Sequence, residues 1–237
     1  MLVFKLDKLF YPGVEDGWDD LAFRQFILRR VTSDLTILDL GAGQGRIDKM
    51  NFRGLARKVC GVDPDARVAE NPHLDEALVG VGERIPYGPA TFDMVFADNV
   101  LEHLVDPKSV FIEISRILKP GGRFVFKTPN KLHYMPFIAR ITPHWFHAQY
   151  NAWRGRSEED TFPTVYRSNT PDDVARYARS AGLHLGEFEL IESRPEYLRI
   201  GFIPYLFGIV YERVVNRFLF MRRFRVVMIG ELIKPIQ

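Results

Sequence analysis

Three glycines stand at every second position of the stretch LDLGAGQGRI, directly after an apolar run. Gly41, Gly43 and Gly45 leave the backbone bare where a nucleotide cofactor could approach it, although a plain tight turn can have the same composition. The dinucleotide fingerprint G-x-G-x-x-G/A requires Gly or Ala at its last position, which corresponds to Arg46 in this chain. Because an arginine obstructs the close helix–strand packing of that turn, the spacing disfavours NAD or NADP.

A carboxylate follows the glycine-rich stretch at a distance that suits ribose binding. Asp63 lies 24 positions after Asp39, where the next strand is predicted to end. An acidic side chain at that place can accept hydrogen bonds from both ribose hydroxyls, although an aspartate there can also cap a helix. The glycines that precede it favour the ribose interpretation.

Four histidines are candidates for taking a proton from an acceptor. His103 follows the fourth predicted strand, His133 follows the fifth, and His144 and His147 belong to the aromatic cluster HWFHAQY. A neutral imidazole can act as a general base near neutral pH, so His103 and His133 are the candidate catalytic residues, although a structural or cofactor-adjacent role for His103 is the stronger alternative. His144 and His147 have metal-ligand spacing but no carboxylate nearby, so we predict aromatic lid packing and no metal.

The elements that position these residues alternate between strands and helices. Short apolar runs predict strands at Thr36–Leu40, Lys58–Val62, Ala77–Val81, Phe92–Ala97, Arg123–Lys127, Leu183–Glu192 and Arg225–Lys234. Helical periodicity or capping signals mark three helices, one over residues 16–31, one that Asp106 begins and Pro120 ends, and one between Thr170 and Gly182. Strands that alternate with helices predict an α/β protein with a parallel sheet.

Two stretches exceed what a minimal sheet of this kind needs. Residues 131–169 follow the fifth predicted strand, and residues 193–224 lie between the last two. Both are expected to leave the sheet at the carboxyl ends of parallel strands, where open α/β sheets bind ligands, so they are placed to form a lid or an acceptor pocket. We expect one domain over residues 1–237, with residues 1–35 as a helical cover.

The charge of the chain is unevenly distributed. The formal net charge is +2, yet residues 199–237 hold seven basic residues against two acidic ones. That stretch is also apolar and aromatic, a composition that suits peripheral contact with an anionic membrane; packing on the core or an interface in a homo-oligomer are the commoner explanations. Since no nucleic-acid-reading motif accompanies the arginines, no nucleic-acid partner is expected.

The remaining sequence features concern the compartment. Cys60 is the only cysteine, the N-terminal stretch has no unbroken apolar core with a cleavage site, and the longest uncharged apolar run is well short of the ~20 residues that a spanning helix needs. These features predict a cytoplasmic protein, peripheral to the inner face of a membrane if the basic stretch contacts one.

Four motifs occur in an order and spacing that resemble a known family. LDLGAGQGRI, VCGVDPD, GERIPYGPATFDMVFADNVLEHLVDP and SRILKPGGRFVFKTPN span Leu38–Asn130. Together they resemble the class I methyltransferases that use S-adenosylmethionine, in the subgroup similar to small-molecule methyltransferases. The resemblance implies a Rossmann-like doubly wound α/β sheet of seven strands with an antiparallel last strand. It also implies S-adenosylmethionine as the cofactor.

The resemblance implies roles for individual residues. The methionine end of the cofactor would be surrounded by Asp39, Gly41, Gly43, Gly45, Asp98 and Asn99. Asp63 would hold the ribose hydroxyls, with Pro64 beside the adenine. His103 matches the histidine of the family's Glu-His pair.

One position departs from the family's pattern. Many relatives bind the adenine amino group through an aspartate, and Val81 stands at the matching position here. Adenine recognition would therefore fall to Gly82 and Glu83.

The sequence thus predicts an S-adenosylmethionine-dependent methyltransferase with a small-molecule acceptor. Its catalysis would consist largely of holding donor and acceptor in line. Histidines and aromatic residues are concentrated on the predicted acceptor side, which favours O-methylation, for example of a saccharide or a lipid-linked precursor. The alternatives are N- or C-methylation, a cofactor-binding protein without transfer activity and an NAD(P)-linked oxidoreductase, the last disfavoured by Arg46.

Overall fold

The computed structural model describes residues 2–141 and 163–236, and one mixed sheet runs through both parts. The strands are β1 (Thr36–Leu40), β2 (Lys58–Asp63), β3 (Glu76–Val79), β4 (Phe92–Asp98), β5 (Leu118–Pro129), β6 (His184–Ile191) and β7 (Val227–Ile233). The helices are α1 (Leu2–Phe10), α2 (Trp18–Leu28), α3 (Pro107–Ile117), α4 (Tyr134–Ile141), α5 (Pro171–Ser180) and α6 (Phe202–Arg217).

The strand order confirms the predicted fold class. The sheet runs β3-β2-β1-β4-β5-β7-β6; β1 to β5 pair in parallel, and β7 is antiparallel to both of its neighbours. The chain therefore has the expected Rossmann-like doubly wound sheet of seven strands with an antiparallel last strand. Its central strands are buried on both faces, as β1 shows with five buried residues in succession.

Helices cover the sheet on both sides because each presents an apolar stripe to it. Val110, Phe111 and Ile114 of α3 pack on one face together with Val174 of α5. The opposite face is covered by α2, whose buried residues are Phe23, Phe26 and Ile27. A core thus lies on each side of the sheet, which leaves the carboxyl edge of the parallel strands as the place for a site.

Local capping fixes two of these helices as the sequence predicts. The Asp106 side chain accepts a hydrogen bond from the Ser109 N–H (3.2 Å), and Pro107 stands at the first turn of α3. In α5, Thr170 Oγ1 accepts from the Asp173 N–H (3.1 Å). In contrast to the prediction, the chain extends already at Leu118, so β5 begins before the Pro-Gly-Gly sequence rather than after it.

The two insertions differ in how much of them the structure describes. Residues 193–224 contain α6 and two short 3-10 helices, and this connection leaves β6 and enters β7 at the carboxyl edge of the sheet, where Pro129 pairs with Val227. Of residues 131–169, the structure describes 131–141 and 163–169, whereas His144 and His147 lie outside the described residues. The lid role of both insertions stays a prediction.

No helix within the described ranges is long and apolar enough to cross a membrane.

A buried lysine attaches α2 to the carboxyl edge of the sheet. Lys127 Nζ lies 2.9 Å from Asp98 Oδ1 and 3.1 Å from Asp19 Oδ2, and it also donates to Asp20. Burial works to lower the pKa of Lys127, but the carboxylates, Asp98 first, hold it above its ordinary value. The ammonium group therefore stays charged, and its removal would leave Asp98 buried without a counter-charge.

Replacing Lys127 by methionine is expected to lower the free energy of unfolding by about 3 kcal/mol, because an uncompensated buried charge costs that much. Urea unfolding followed by circular dichroism measures the loss. Lys108→Met, on the exposed side of α3, is the matched control and should change the free energy by less than about 0.5 kcal/mol.

The loss should depend on pH. Burial raises the pKa of Asp98 to about 6 even with Lys127 present. Without the lysine that pKa rises further, and protonation then removes the buried charge, so the variant loses less stability at acidic than at alkaline pH. Equal unfolding curves for the wild type and Lys127→Met would show that α2 does not depend on this contact.

Candidate cofactor and active site

The glycine-rich turn after β1 has a backbone that other residues rarely adopt. Gly41, Gly43 and Gly45 have φ angles of 80°, 49° and 74°. A Cβ atom would lie 2.4 Å from Val100 Cγ2 at Gly41 and 2.3 Å from Asn71 Oδ1 at Gly45, whereas it would meet nothing within 4 Å at Gly43. Close packing therefore requires two of the glycines, and the third faces open space where a ligand can approach the backbone.

A side chain that the sequence analysis missed holds this turn in place. Asn71 is buried; its Nδ2 donates to the carbonyl oxygens of Ala42 (3.0 Å) and Gly43 (3.2 Å), and its Oδ1 accepts from the His73 N–H (2.9 Å). Because Asn71 and the turn are almost thirty positions apart in the sequence, no local pattern predicts their contact. The only sequence signal is an Asn-Pro pair in the loop after β2, which is typical of any turn.

Asp63 lies at the end of β2, against the same turn. Its Oδ2 accepts a hydrogen bond from the Gly43 N–H (2.9 Å), and its Oδ1 accepts from the Asp65 N–H (2.8 Å). Each carboxylate oxygen has two lone pairs, so both retain capacity for a ribose hydroxyl. Pro64 is exposed beside it, as an apolar surface for a base requires. The predicted ribose and adenine positions are therefore adjacent.

Two further carboxylates make this edge of the sheet strongly acidic. Asp39 is buried, and burial, followed by the charges of Asp98 and Asp63, raises its pKa well above the ordinary value. Asp98 Oδ2 is buried and, within the described structure, has no hydrogen-bond partner. A cation that enters beside these groups would relieve the repulsion between them, so the electrostatics favour a positively charged ligand.

The predicted methionine-end residues Asp98 and Asn99 are tied to Lys127. The Asn99 N–H donates to the Lys127 carbonyl oxygen (2.9 Å), and Asn99 Nδ2 donates to Asp98 Oδ1 (2.9 Å). Asn99 has a φ of 55°, which asparagine tolerates better than most residues. The sequence placed Asp98 here, but the lysine of β5 that pairs with its carboxylate was not predicted.

The predicted adenine residues form a turn after β3. The Arg84 N–H donates to the Val81 carbonyl oxygen (3.0 Å), which leaves Gly82 and Glu83 at the tip of the turn. Glu83 is exposed, and a Cβ atom at Gly82 would lie 3.2 Å from Val110 of α3. The turn is held close to α3, and its role in adenine recognition stays a prediction.

On the acceptor side, the Glu-His pair lies in a 3-10 turn after β4. His103 Nδ1 is 3.0 Å from the Pro163 carbonyl oxygen, and since a carbonyl can only accept, Nδ1 carries the proton. Burial lowers the pKa of His103, so its ring is neutral at pH 7. Glu102 is buried, accepts a hydrogen bond from Thr128 Oγ1 (2.9 Å) and has a pKa that burial raises to about 7.

His133 occupies a different environment. It is buried against the rings of Tyr134 and Tyr211, its Nδ1 accepts from the Met135 N–H (3.2 Å), and its Nε2 lies 3.5 Å from Glu192 Oε2. Burial lowers the pKa of His133 to about 3. Since its one lone pair is already engaged, the geometry favours a packing role, and its role as a base stays a prediction.

No group of three or more His, Cys, Asp and Glu side chains that could hold a metal ion occurs in the parts of the chain that the structure describes.

The turn after β1 also bears on which nucleotide the site fits. A dinucleotide site places its pyrophosphate at the N-terminus of a helix that begins at the glycines. Here the described residues between β1 and β2 contain only a three-residue 3-10 helix, Asp48–Met50. The carboxylate of Asp63, which accepts a hydrogen bond from the Gly43 N–H in this turn, would repel phosphate. Fold and site together define a Rossmann-like protein whose pocket suits a cationic nucleoside.

Comparison with known proteins identifies this class more closely. Residues 38–126 match the family model described as a methyltransferase domain. The chain is 33% identical to a ubiquinone biosynthesis O-methyltransferase of Colwellia psychrerythraea over 41% of its own length and 43% of that protein. It is 30% identical to a sarcosine/dimethylglycine N-methyltransferase of Halorhodospira halochloris over 46% and 42% of the two chains. Residues 38–126 therefore form a methyltransferase domain similar to those of the class I S-adenosylmethionine-dependent methyltransferases.

The fold comparison extends over the whole chain. A methyltransferase solved in complex with the Haloferax volcanii Trm112 methyltransferase activator matches with a TM-score of 0.58 over 98% of both chains, at 20% identity. At that identity the likeness concerns the fold alone. The alignments with the two curated relatives cover less than half of those proteins' lengths. They therefore support the family and its cofactor more strongly than any one acceptor.

Gly43→Ala is expected to lower the affinity for S-adenosylhomocysteine at least tenfold, because the added methyl group would enter the open space in front of the turn. Isothermal titration calorimetry measures this. The matched control is Gly182→Ala after α5: Gly182 also has a positive φ and no atom within 4 Å, but it lies away from the site. Both glycines have a positive φ, 49° at Gly43 and 70° at Gly182, so an equal loss of affinity in the two variants would contradict the assignment of the site.

The sulfonium charge should be visible as a proton effect. Because a bound cation stabilises ionised Asp39, binding of S-adenosylmethionine should release more protons than binding of S-adenosylhomocysteine, which lacks that charge. The affinity for S-adenosylmethionine, relative to that for S-adenosylhomocysteine, should therefore rise with pH. Calorimetry in two buffers of different ionisation enthalpy measures the release, and Asp39→Asn should abolish the difference. Equal proton release for the two ligands would mean that the carboxylates do not face the sulfonium.

Proposed function

We propose that this protein transfers a methyl group from S-adenosylmethionine to an oxygen atom of a small-molecule acceptor. When bound, the cofactor supplies an electrophilic methyl group on a sulfonium centre. The matched methyltransferase domain supports the reaction class, and one of the relatives is named as an O-methyltransferase. The arrangement of His103 is the observation that favours oxygen as the methylated atom, since an unactivated hydroxyl must lose its proton to a base to become a nucleophile.

The cofactor side of the proposal rests on groups that bind and orient. Asp63 would hold the ribose hydroxyls while the Gly43 N–H keeps its carboxylate in place. Asp39 and Asp98 would face the positive charge, and the buried surroundings would make that attraction stronger than in water. The work of these residues is to fix the methyl donor, because alignment of donor and acceptor accounts for much of the rate of an in-line transfer.

The acceptor side of the proposal rests on the protonation state of His103. With Nδ1 donating to Pro163, the lone pair of the neutral ring is on Nε2. That atom would take the proton of the acceptor hydroxyl. Glu102 Oε1 lies 4.0 Å from Nε2, so an ionised Glu102 would stabilise the imidazolium that forms. His103 is partly exposed, as a group that contacts a substrate must be.

His103→Gln is expected to lower kcat for a hydroxyl acceptor about 100-fold or more, because glutamine cannot take the proton. The assay measures S-adenosylhomocysteine released with a panel of catechols, phenols, sugars and secondary amines. His184→Gln, at the exposed start of β6, is the matched control and should retain wild-type turnover. Affinity for S-adenosylhomocysteine should stay within about twofold in both variants.

The pH profile gives an independent readout. The rate should fall as pH drops through the pKa of His103, and because burial lowers that pKa, the fall should be centred below the ordinary histidine value. The profile of His103→Gln should lack this step. Wild-type turnover of a hydroxyl acceptor by His103→Gln would exclude His103 as the base.

N-methylation is the second candidate, because the same region of the chain is similar to an N-methyltransferase. A deprotonated amine already carries a lone pair and needs no protein base. If secondary amines alone are methylated, and His103→Gln methylates them at the wild-type rate, the acceptor atom is nitrogen and not oxygen.

A further inference from the structure

Helix α6 turns an apolar face towards solvent. Along its outer side Ile203, Phe207 and Val210 are 65%, 69% and 62% exposed. Its inner side buries a mixture of small, aromatic, acidic and aliphatic residues: Tyr205, Gly208, Ile209, Glu212 and Val215. A helix that packs on a core in water has the opposite arrangement, with its apolar stripe inward. The outer face of α6 is therefore suited to a surface that it meets outside the chain.

Polar contacts fix the inner side of α6 and set its orientation. Glu212 accepts hydrogen bonds from Tyr11 Oη (3.1 Å) and Asn216 Nδ2 (2.6 Å). Asp7 of α1 accepts from Tyr205 Oη and, at 2.8 Å, from Arg199. Since these buried groups would lose their partners if the helix rotated, the apolar face is held outward by hydrogen bonds.

The neighbouring segments continue the same pattern. Helix α1, which contacts α6, buries Asp7 and exposes Leu2, Phe4 and Leu9. After α6 comes the 3-10 helix Leu219–Phe224, in which Leu219 and Phe220 are more than 70% exposed. We call these three segments, α1, α6 and Leu219–Phe224, the apolar–basic surface. Exposed apolar side chains that are concentrated in this way mark an interaction site.

The charges of this surface have one sign. Basic residues of the surface stand beside the apolar ones and are exposed: Lys5, Lys8, Arg213, Arg217, Arg222 and Arg223. Both acidic residues of the stretch 199–236, Glu212 and Glu231, are buried. Two copies of such a surface would bring like charges together, which opposes a symmetric dimer. An anionic lipid surface complements the same charges.

We propose that the apolar–basic surface lies on an anionic membrane. Its aromatic and aliphatic side chains enter the headgroup region while the arginines and lysines contact lipid phosphates, as in other interfacial helices. The connection that carries α6 leaves β6 and enters β7 at the edge of the sheet that also carries Asp63. Docking would thus bring an amphiphilic acceptor that lies in the membrane close to that edge of the sheet. This last step rests on the proposed function, whereas docking itself does not.

Co-sedimentation of the full chain with vesicles tests the proposal. Binding is expected to phosphatidylcholine vesicles that contain one third phosphatidylglycerol, with much weaker binding to phosphatidylcholine alone and a decrease at high salt. Failure of the wild type to bind the anionic vesicles at low salt overturns the proposal. Because no acceptor or cofactor is added, this result is independent of whether the protein methylates anything.

Two pairs of variants assign the contact to the surface. Phe207→Glu combined with Phe220→Glu should abolish vesicle binding, whereas Ile112→Glu combined with Leu185→Glu, which alters exposed apolar residues elsewhere, should leave it unchanged. For the charges, Arg222→Ala with Arg223→Ala should lower the partition coefficient about 30-fold. Lys108→Ala with Arg179→Ala is the matched control and should have no effect.

Two measurements guard the interpretation. Thermal unfolding and S-adenosylhomocysteine affinity should be equal in all variants, since every substituted side chain is exposed. Light scattering reports the oligomeric state. If Phe207→Glu with Phe220→Glu divides a dimer of the wild type, the surface is an interface between copies and the membrane proposal is wrong. Equal vesicle binding by the surface and control variants would overturn it as well.

Discussion

The repulsion between carboxylates at the ends of β1, β2 and β4 is the constraint that organises this molecule. Asp39, Asp63 and Asp98 belong to neighbouring strands, and burial makes their charges costly. Lys127 reaches Asp98 from β5, and the acidic start of α2 completes the partners of the lysine. The position of α2 and the acidity of the site are consequently coupled, because a ligand cation and Lys127 both compensate the charge of the same group of carboxylates.

Features that depend on neighbouring residues could be predicted from the sequence. The strands, the caps at Asp106 and Thr170 and the spacing of the glycines depend on neighbouring residues, so patterns along the chain predicted them. Asn71 and Lys127 were missed because their roles exist only after distant segments meet. A lysine within an apolar strand is a weak sign of a buried ion pair, and it becomes informative only when Asp98 is known to pair with it.

His103 and His133 show why residue type alone does not predict a role. Both follow a strand at the carboxyl edge, so the sequence made both candidates for a base, with a structural or cofactor-adjacent role as the stronger alternative for His103. The structure separates them by which nitrogen is engaged: His103 uses its N–H on Pro163, whereas His133 uses its lone pair on Met135. A single backbone contact thus fixes which nitrogen of each ring carries the proton, and no spacing rule contains that information.

The apolar–basic surface has a cost in folding free energy. Helix α6 buries Tyr205, Ile209 and Val215 but leaves Ile203, Phe207 and Val210 in water, so it gains only part of the apolar burial available to it. Hydrogen bonds recover only part of that loss, since they replace bonds to water. Such exposure is expected where a surface outside the chain buries these apolar side chains. The connection that carries α6 begins and ends at the carboxyl edge of the sheet, so the proposed docking would bring a membrane close to that edge.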